Sequence, residues 1–207
     1  MADSRGRPRT TAADHRLDTY RGKRRAERTP EPMSGVSPPG GKRRFVIQKH
    51  SATRLHYDFR LEAGGVLKSW AVPKGPSTDT KDKRLAIRTE DHPVDYLGFE
   101  GIIPSGEYGA GKVIVWDTGT YQNLAERHGR KVPVTQGVSQ GHIKVWLEGE
   151  KLRGGYALTR TGGEGEPERW IMVKLADEGA DAHRDPVTTE PASVRSGRTL
   201  DELPENP

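Results

Sequence analysis

The 207-residue chain is 31% hydrophobic and 30% charged, with a formal net charge of +5; that is length for one domain of ordinary size with tails. It has no cysteine, which excludes disulfides and thiolate metal sites and agrees with a reducing cytoplasm. No apolar run approaches the ~18–20 residues of a membrane helix, and no apolar segment near the start reads as a secretory signal.

The average composition hides a segregation. All four Trp, all three Phe and every Tyr except Tyr20 fall between residues 45 and 170. Residues 1–44 hold 12 Lys and Arg against 5 Asp and Glu, a net of +7, whereas the remaining 163 residues hold 22 against 24, a net of −2. Residues 1–42 therefore read as a basic, mostly disordered arm, too poor in apolar side chains to offset the entropy of ordering. A short basic helix is expected within it over residues 17–27, ended by Thr29-Pro30. A solvated tail is the plainer account of such a charge run; an acidic partner, most often nucleic acid, is the more specific one.

From residue 43 the pattern becomes short strands broken by Gly and Pro. Strands are expected at 44–48, 54–62, 66–72, 84–89, 112–117, 119–122, 142–147, 156–160 and 170–175. Ala63-Gly64-Gly65 predicts a tight hairpin turn, and Asp117-Thr118-Gly119 and Leu147-Glu148-Gly149 predict further turns. About eight short, mainly antiparallel strands without a long helix describe an all-β fold, a small barrel or sandwich over residues 43–176. Residues 177–207 turn polar again and read as a disordered tail.

The strand over 54–62 carries the chemistry. A period of two places Leu55, Tyr57, Phe59 and Leu61 on one face and His56, Asp58 and Arg60 on the other, as in a half-buried strand. His50 lies just upstream. Two imidazoles and a carboxylate suit Mn, Zn or Fe(II), and three protein ligands leave positions open for water and substrate. A lone His is usually a surface or hydrogen-bonded residue; two His with an Asp around one strand leave both accounts open. Arg60 shares the polar face and its fork can point at a phosphate. Lys74 sits in a Pro73-Lys74-Gly75-Pro76 turn, and Arg84 and Arg88 share a strand face. In the loop His92-Pro93-Val94-Asp95-Tyr96, His and Tyr are spaced to reach a bound phosphate, His as proton donor; an ordinary loop His beside a packed Tyr is the alternative. No Walker loop, Rossmann fingerprint or HExxH is present.

Several longer motifs are similar to the 3′-phosphoesterase domain of bacterial DNA ligase D. They are Phe45-Val46-Ile47-Gln48-Lys49-His50, Arg54-Leu55-His56-Tyr57-Asp58-Phe59-Arg60, Ser69-Trp70-Ala71-Val72-Pro73-Lys74-Gly75-Pro76, Glu90-Asp91-His92-Pro93-Val94-Asp95-Tyr96 and Ile103-Pro104-Ser105-Gly106-Glu107-Tyr108-Gly109. The resemblance covers residues 43–176, with a weaker match from Leu17 to Pro32. It implies a β-barrel and a Mn²⁺-dependent hydrolase of 3′ ends, with Zn²⁺ or another divalent metal as an alternative at the same site. Such an enzyme trims a 3′-terminal ribonucleoside and removes a 3′-phosphate, leaving a 3′-OH for repair by end joining. The positions matching metal ligands are His50, His56 and Asp58; those matching phosphate contacts are Arg60, His92 and Tyr96. Lys74 and Arg84 match further catalytic cations, and Arg24 and Glu31 match arm residues of the ribonuclease step.

Where the family arm usually reads Lys-Arg-Asp before an aromatic, this chain has Lys23-Arg24-Arg25-Ala26, a departure that bears on ribonucleoside removal. No polymerase or ligase segment accompanies the domain, so a stand-alone form is expected. The resemblance implies DNA or RNA–DNA 3′ ends at a primer–template as partners, with separate ligase, polymerase and end-binding proteins. It further implies a cytoplasmic, nucleoid-associated monomer without membrane attachment. The alternative function is a catalytically weak or inactive end-binding module of a repair complex; a small-molecule phosphatase fits the basic arm poorly.

Overall fold

The structure, a computed structural model, describes residues 12–37, 43–162 and 167–204. In chain order its elements are helices α1 (Ala12–His15) and α2 (Asp18–Gly22), then strands β1 (Arg44–Ser51), β2 (Leu55–Ala63), β3 (Val66–Val72) and β4 (Arg84–Arg88). A 3₁₀ turn (Val94–Gly98) precedes β5 (Gly101–Ile103), the long β6 (Gly111–Asn123) and a small ribbon of β7 (Glu126–Arg127) and β8 (Arg130–Lys131). Helix α3 (Val134–Gln140), β9 (His142–Gly149), β10 (Arg153–Arg160), β11 (Arg169–Lys174) and α4 (Pro186–Thr189) complete it.

The strands run β1-β2-β3-β4-β11-β10-β9-β6, and β6 pairs back onto β1, closing an eight-stranded antiparallel barrel with β5 appended to β6. Closure removes the sheet's free edges. The all-β barrel expected from the strand pattern is the observed fold. At the β2–β3 turn Gly64 and Gly65 both take positive φ, 65° and 84°, as the predicted two-residue hairpin requires.

Alternate residues of the strands fill the interior. Phe45 and Ile47, Tyr57, Phe59 and Leu61, Trp70, Trp116, Tyr156 and Trp170 form one continuous core. The opposite face of β2 is not open to solvent as expected of a half-buried strand: Asp58, Arg60 and Glu62 are buried as well. A second, smaller core of Tyr20, Leu67, Tyr96, Phe99, Ile103 and Val113 covers that side, built from the arm and the 3₁₀ segment. Leu55, expected with the apolar face, lies at the strand end and is exposed.

Two expected strands, 112–117 and 119–122, are one. The pairing of β1 with β6 shifts register between Ile47 and Gln48, a bulge that bends β6 without ending it. Gly119 is a close-approach residue instead of a turn residue: a Cβ there would lie 2.0 Å from the Glu148 carbonyl oxygen on β9. Asp117 does serve a turn, but a distant one. Its carboxylate accepts the N–H groups of Glu150, Lys151 and Leu152 between β9 and β10, at 2.9–3.0 Å.

The arm and the C-terminal segment differ from the disorder expected of 1–42 and 177–207 wherever they are described. Leu17 and Tyr20 are fully buried, and the helix expected over 17–27 is confined to Asp18–Gly22. At the other end, Val194 N–H donates to Val115 O (3.0 Å) and the Trp116 indole to Glu190 O (2.8 Å). Leu200 and Leu203 cover Ile114. Few apolar residues suffice, because each is placed on a hydrogen-bonding or apolar spot that the barrel offers. Residues 1–11, 38–42 and 205–207 of these two expectations lie outside the described residues.

Candidate metal and phosphate site

The centre of the site is a cross-strand arrangement on the outer face of β1 and β2. Antiparallel pairing sets His50 opposite His56 and Gln48 opposite Asp58, and the period of two keeps these side chains on one face. His50 thus belongs to β1 itself, which runs three residues beyond the expected Gln48.

Each imidazole is oriented by a backbone carbonyl. His50 Nε2–H donates to Gly109 O (2.8 Å), and His56 Nδ1–H donates to Arg54 O (2.9 Å). A carbonyl can only accept, so the tautomers follow. His50 Nδ1 and His56 Nε2 then face the Asp58 Oδ2 oxygen at 3.5 and 3.7 Å. One ligand atom from each of the three residues lies within 4.8 Å of the others. Ligands about 2.1–2.2 Å from a common divalent metal sit roughly 3.0–3.6 Å apart. Two imidazole nitrogens and a carboxylate oxygen turned toward one another fit a cation between them, and the carbonyl contacts behind the rings are the outer support that metal ligands require.

Electrostatics agree. Burial opposes the Asp58 charge, but the Arg60 guanidinium and the two imidazoles beside it hold its carboxyl well below the usual range. Burial also opposes a charged His56; the hydrogen bond and charge of Asp58 outweigh it, and the pKa is raised above 6.5.

Arg60 is held on two sides. Its Nε donates to Gln48 Oε1 (2.8 Å) and one terminal nitrogen to Asp58 Oδ2 (3.0 Å). Gln48 is itself anchored through its amide to Tyr96 O and Phe99 O. The other terminal nitrogen, Arg60 Nη1, is buried with no partner among the described residues. A buried donor left unmet costs about 1–3 kcal/mol, more when charged, so this N–H calls for an acceptor.

The arm closes the site. Glu31, buried, accepts from Arg24 Nε (2.9 Å), Thr29 Oγ1 (2.8 Å) and the Tyr96 hydroxyl (2.8 Å). Arg24 also pairs with Glu90 (3.1 Å), lies over the Tyr20 ring and comes within 3.5 Å of His92 Nε2. His92 donates its Nδ1–H to Glu90 O (2.9 Å). Burial, then the charges of Arg60 and Arg24, press its pKa well below the ordinary value. The ring is therefore neutral, with its proton on Nδ1 and Nε2 as the acceptor nitrogen. The hydroxyl of Tyr96, expected to orient phosphate, here holds Glu31; burial and that carboxylate push its pKa well up.

His50, His56, Asp58, Arg60, His92 and Tyr96, with Arg24 and Glu31 from the arm, thus form one connected cluster. Lys74 and Arg84 stand apart from it. Register carries Asp58 to Ala71 on β3 and Ala71 to Ile87 on β4; Arg84, three residues from Ile87, falls on the other side of the barrel wall. It pairs with Asp82 (2.7 Å). Lys74 is exposed in its turn and makes no hydrogen bond or ion pair among the described residues. Cations sharing a strand face were legible in the sequence, but the side of the sheet they face depends on register. Sequence reasoning missed Gln48, Glu90, Thr29 and the Gly109 carbonyl. Two signals were available: Gln48 shares the β1 face of His50, and Tyr20 is the one aromatic residue of the arm.

Comparison with known proteins adds family context. The model of the DNA ligase D 3′-phosphoesterase domain matches residues 48–160. The chain is 49% identical over 189 residues to the multifunctional non-homologous end joining protein LigD of Pseudomonas aeruginosa, covering 89% of this chain and 22% of that protein. It is 50% identical over 164 residues to the multifunctional non-homologous end joining DNA repair protein LigD of Mycobacterium tuberculosis (79% and 20% covered). Against LigD of Mycolicibacterium smegmatis it is 46% identical over 164 residues (79% and 21%). The chain spans roughly a fifth of the length of these curated relatives.

Proposed function

This chain belongs to the DNA ligase D 3′-phosphoesterase domain family, and from that premise we propose that it is a metal-dependent hydrolase of 3′-phosphate ends of DNA or RNA–DNA primers. Its product is a 3′-OH for non-homologous end joining. The observation that carries the reading is the pairing of two demands in adjacent residues. His50, His56 and Asp58 turn three metal-ligating atoms toward one another. Arg60, bonded to Asp58, holds a buried N–H with no acceptor. A metal-bound phosphate monoester meets both.

His50, His56 and Asp58 would hold the metal, and Mn²⁺ is the ion we assign, with Zn²⁺ suited to the same donors. When bound, it supplies Lewis-acid polarisation of a phosphate oxygen. Arg60 offsets charge on the phosphoryl group, and Gln48 fixes the direction of its fork. His92 starts neutral; a phosphate dianion beside it raises its pKa, so that it takes up a proton from solvent and delivers it to the leaving oxygen as the ester P–O bond breaks and a water oxygen forms the new bond to phosphorus. Arg24 and Glu31 bring the arm over the site and serve ribonucleoside removal, while Tyr96 acts through Glu31. Lys74 and Arg84, which lie apart from the cluster, act on substrate beyond it.

The test is conversion of a 3′-phosphate primer–template to 3′-OH with Mn²⁺, with His50→Ala as control. We expect turnover by the native chain and a loss on the order of a hundredfold or more in the variant. No turnover, or equal turnover by His50→Ala, refutes the proposal and favours an end-binding module. A primer ending in one ribonucleotide, run in parallel, reads the ribonucleoside step separately.

A further inference from the structure

We propose that Tyr108 is the nucleobase-stacking residue of this site, receiving on its ring the base of the 3′-terminal nucleotide. The inference rests on the phosphoesterase reading and names the part of the substrate that the metal and phosphate centre does not touch.

Tyr108 is 47% exposed, and among the described residues it is the one aromatic of the large exposed apolar side chains, the others being Val36, Leu55 and Leu85. Nearly every other ring of the barrel is buried, so its exposure is a property of its loop. That loop is fixed. Turns link Glu107 N–H to Pro104 O and Ala110 N–H to Glu107 O, both at 3.1 Å. The Glu107 carboxylate, 6% exposed, is clamped from the arm by Arg25 (3.0 Å) and Arg28 (3.9 Å). Arg25, which stands where the family arm usually carries an acid, therefore has a partner that an acid could not have engaged.

The residue after Tyr108 ties the ring to the chemistry. Gly109 O accepts the Nε2–H of His50, so the ring and a candidate metal ligand are set by one short stretch of backbone. Cations lie over the ring, Lys23 Nζ 4.7 Å and Arg24 Cζ 5.3 Å from its centroid, while about half of the side chain stays exposed to receive a base. Tyr108, Thr19, Lys23, Thr89 and Glu90 line a groove of about 1130 Å³, larger than a single nucleotide needs. A half-exposed aromatic ring backed by cations is how proteins hold unpaired bases without reading sequence, since every base has a π face. A terminal nucleoside, whose phosphate is claimed at Arg60, is the unit such a ring suits.

The competing account is that Tyr108 only packs the arm through Lys23, whose Nζ is 3.3 Å from its hydroxyl. Two substrates separate the two: a 3′-phosphate primer with a normal terminal base, and the same primer with an abasic terminal nucleoside. The native chain should prefer the first by about tenfold in KM. Tyr108→Ala should reduce that preference to within about twofold, and Tyr108→Phe, which keeps the ring and loses the hydroxyl, should retain it. A 2-aminopurine at the terminal position gives a readout independent of turnover: its fluorescence should be quenched by the native chain and by Tyr108→Phe, and not by Tyr108→Ala. Loss of activity on both primers in equal proportion, or a native preference near one, overturns the proposal. Quenching that follows Tyr108 in a chain without turnover would sink the phosphoesterase reading and leave the stacking role standing.

Discussion

Replacing Asp58 by Asn should separate metal binding from folding. The carboxylate lies 3.0 Å from an Arg60 nitrogen, a gross attraction of about 5 kcal/mol at an effective dielectric near 20. Taking the carboxylate out of water costs several kcal/mol, so the two terms largely cancel. The amide is nearly isosteric. The same oxygen, Oδ2, meets Arg60 and both histidines; the amide oxygen placed there still accepts from Arg60, with the NH₂ at the Oδ1 position. Metal-free Asp58→Asn should therefore unfold in urea within about 2 kcal/mol of the native chain. Metal binding, in contrast, loses its one anionic ligand and should weaken by on the order of a hundredfold or more. At a Mn²⁺ concentration 100 times the native Kd, the ion adds about 2.7 kcal/mol to the native chain and only about 0.4 kcal/mol to the variant. Calorimetric titration and urea unfolding with and without Mn²⁺ measure both quantities. A variant that binds Mn²⁺ within about threefold of the native chain would refute the assignment of Asp58 as a ligand.

Glu31→Ala should cost about 3–5 kcal/mol, because it strands the buried Arg24, with the partner at Glu90 keeping it toward the lower end. Protease cleavage among the arginines of residues 21–28 should accelerate, and a loss under about 1 kcal/mol would show that the arm is not pinned by this network. The pH response should invert with metal. The raised pKa of His56 means that its contribution to metal-free stability is fully present below 6.5 and is lost as pH rises through the folded value. The depressed pKa of Asp58 places the opposite loss at acid pH, as pH falls through its folded value. Metal requires the unprotonated imidazoles, so stabilisation by Mn²⁺ should instead grow as pH rises past His56. Thermal unfolding across pH 5.5–8.5 with and without Mn²⁺ checks this; parallel curves would count against it.

The all-β class, the β2–β3 hairpin and the polar face of β2 were determined by the sequence itself. They depend on local rules: alternation of side chains and the conformational freedom of Gly64 and Gly65. Closure of β6 onto β1 and the bulge that keeps β6 continuous past Gly119 were decided only by tertiary structure. So were the packing of the arm over β2 and the separation of Arg84 from Asp58. These depend on register and on contacts between residues far apart in the chain, such as Tyr96 with Glu31, 65 positions away. The cluster His50, His56 and Asp58 lies between the two regimes. Strand periodicity sets His56 and Asp58 on one face, but only the pairing of His50 with His56 turns three residues into a site. The carbonyls of Gly109 and Arg54 then decide which nitrogens face it. Backbone acceptors leave no residue-type signal, which is why this last layer could not be read from the chain alone.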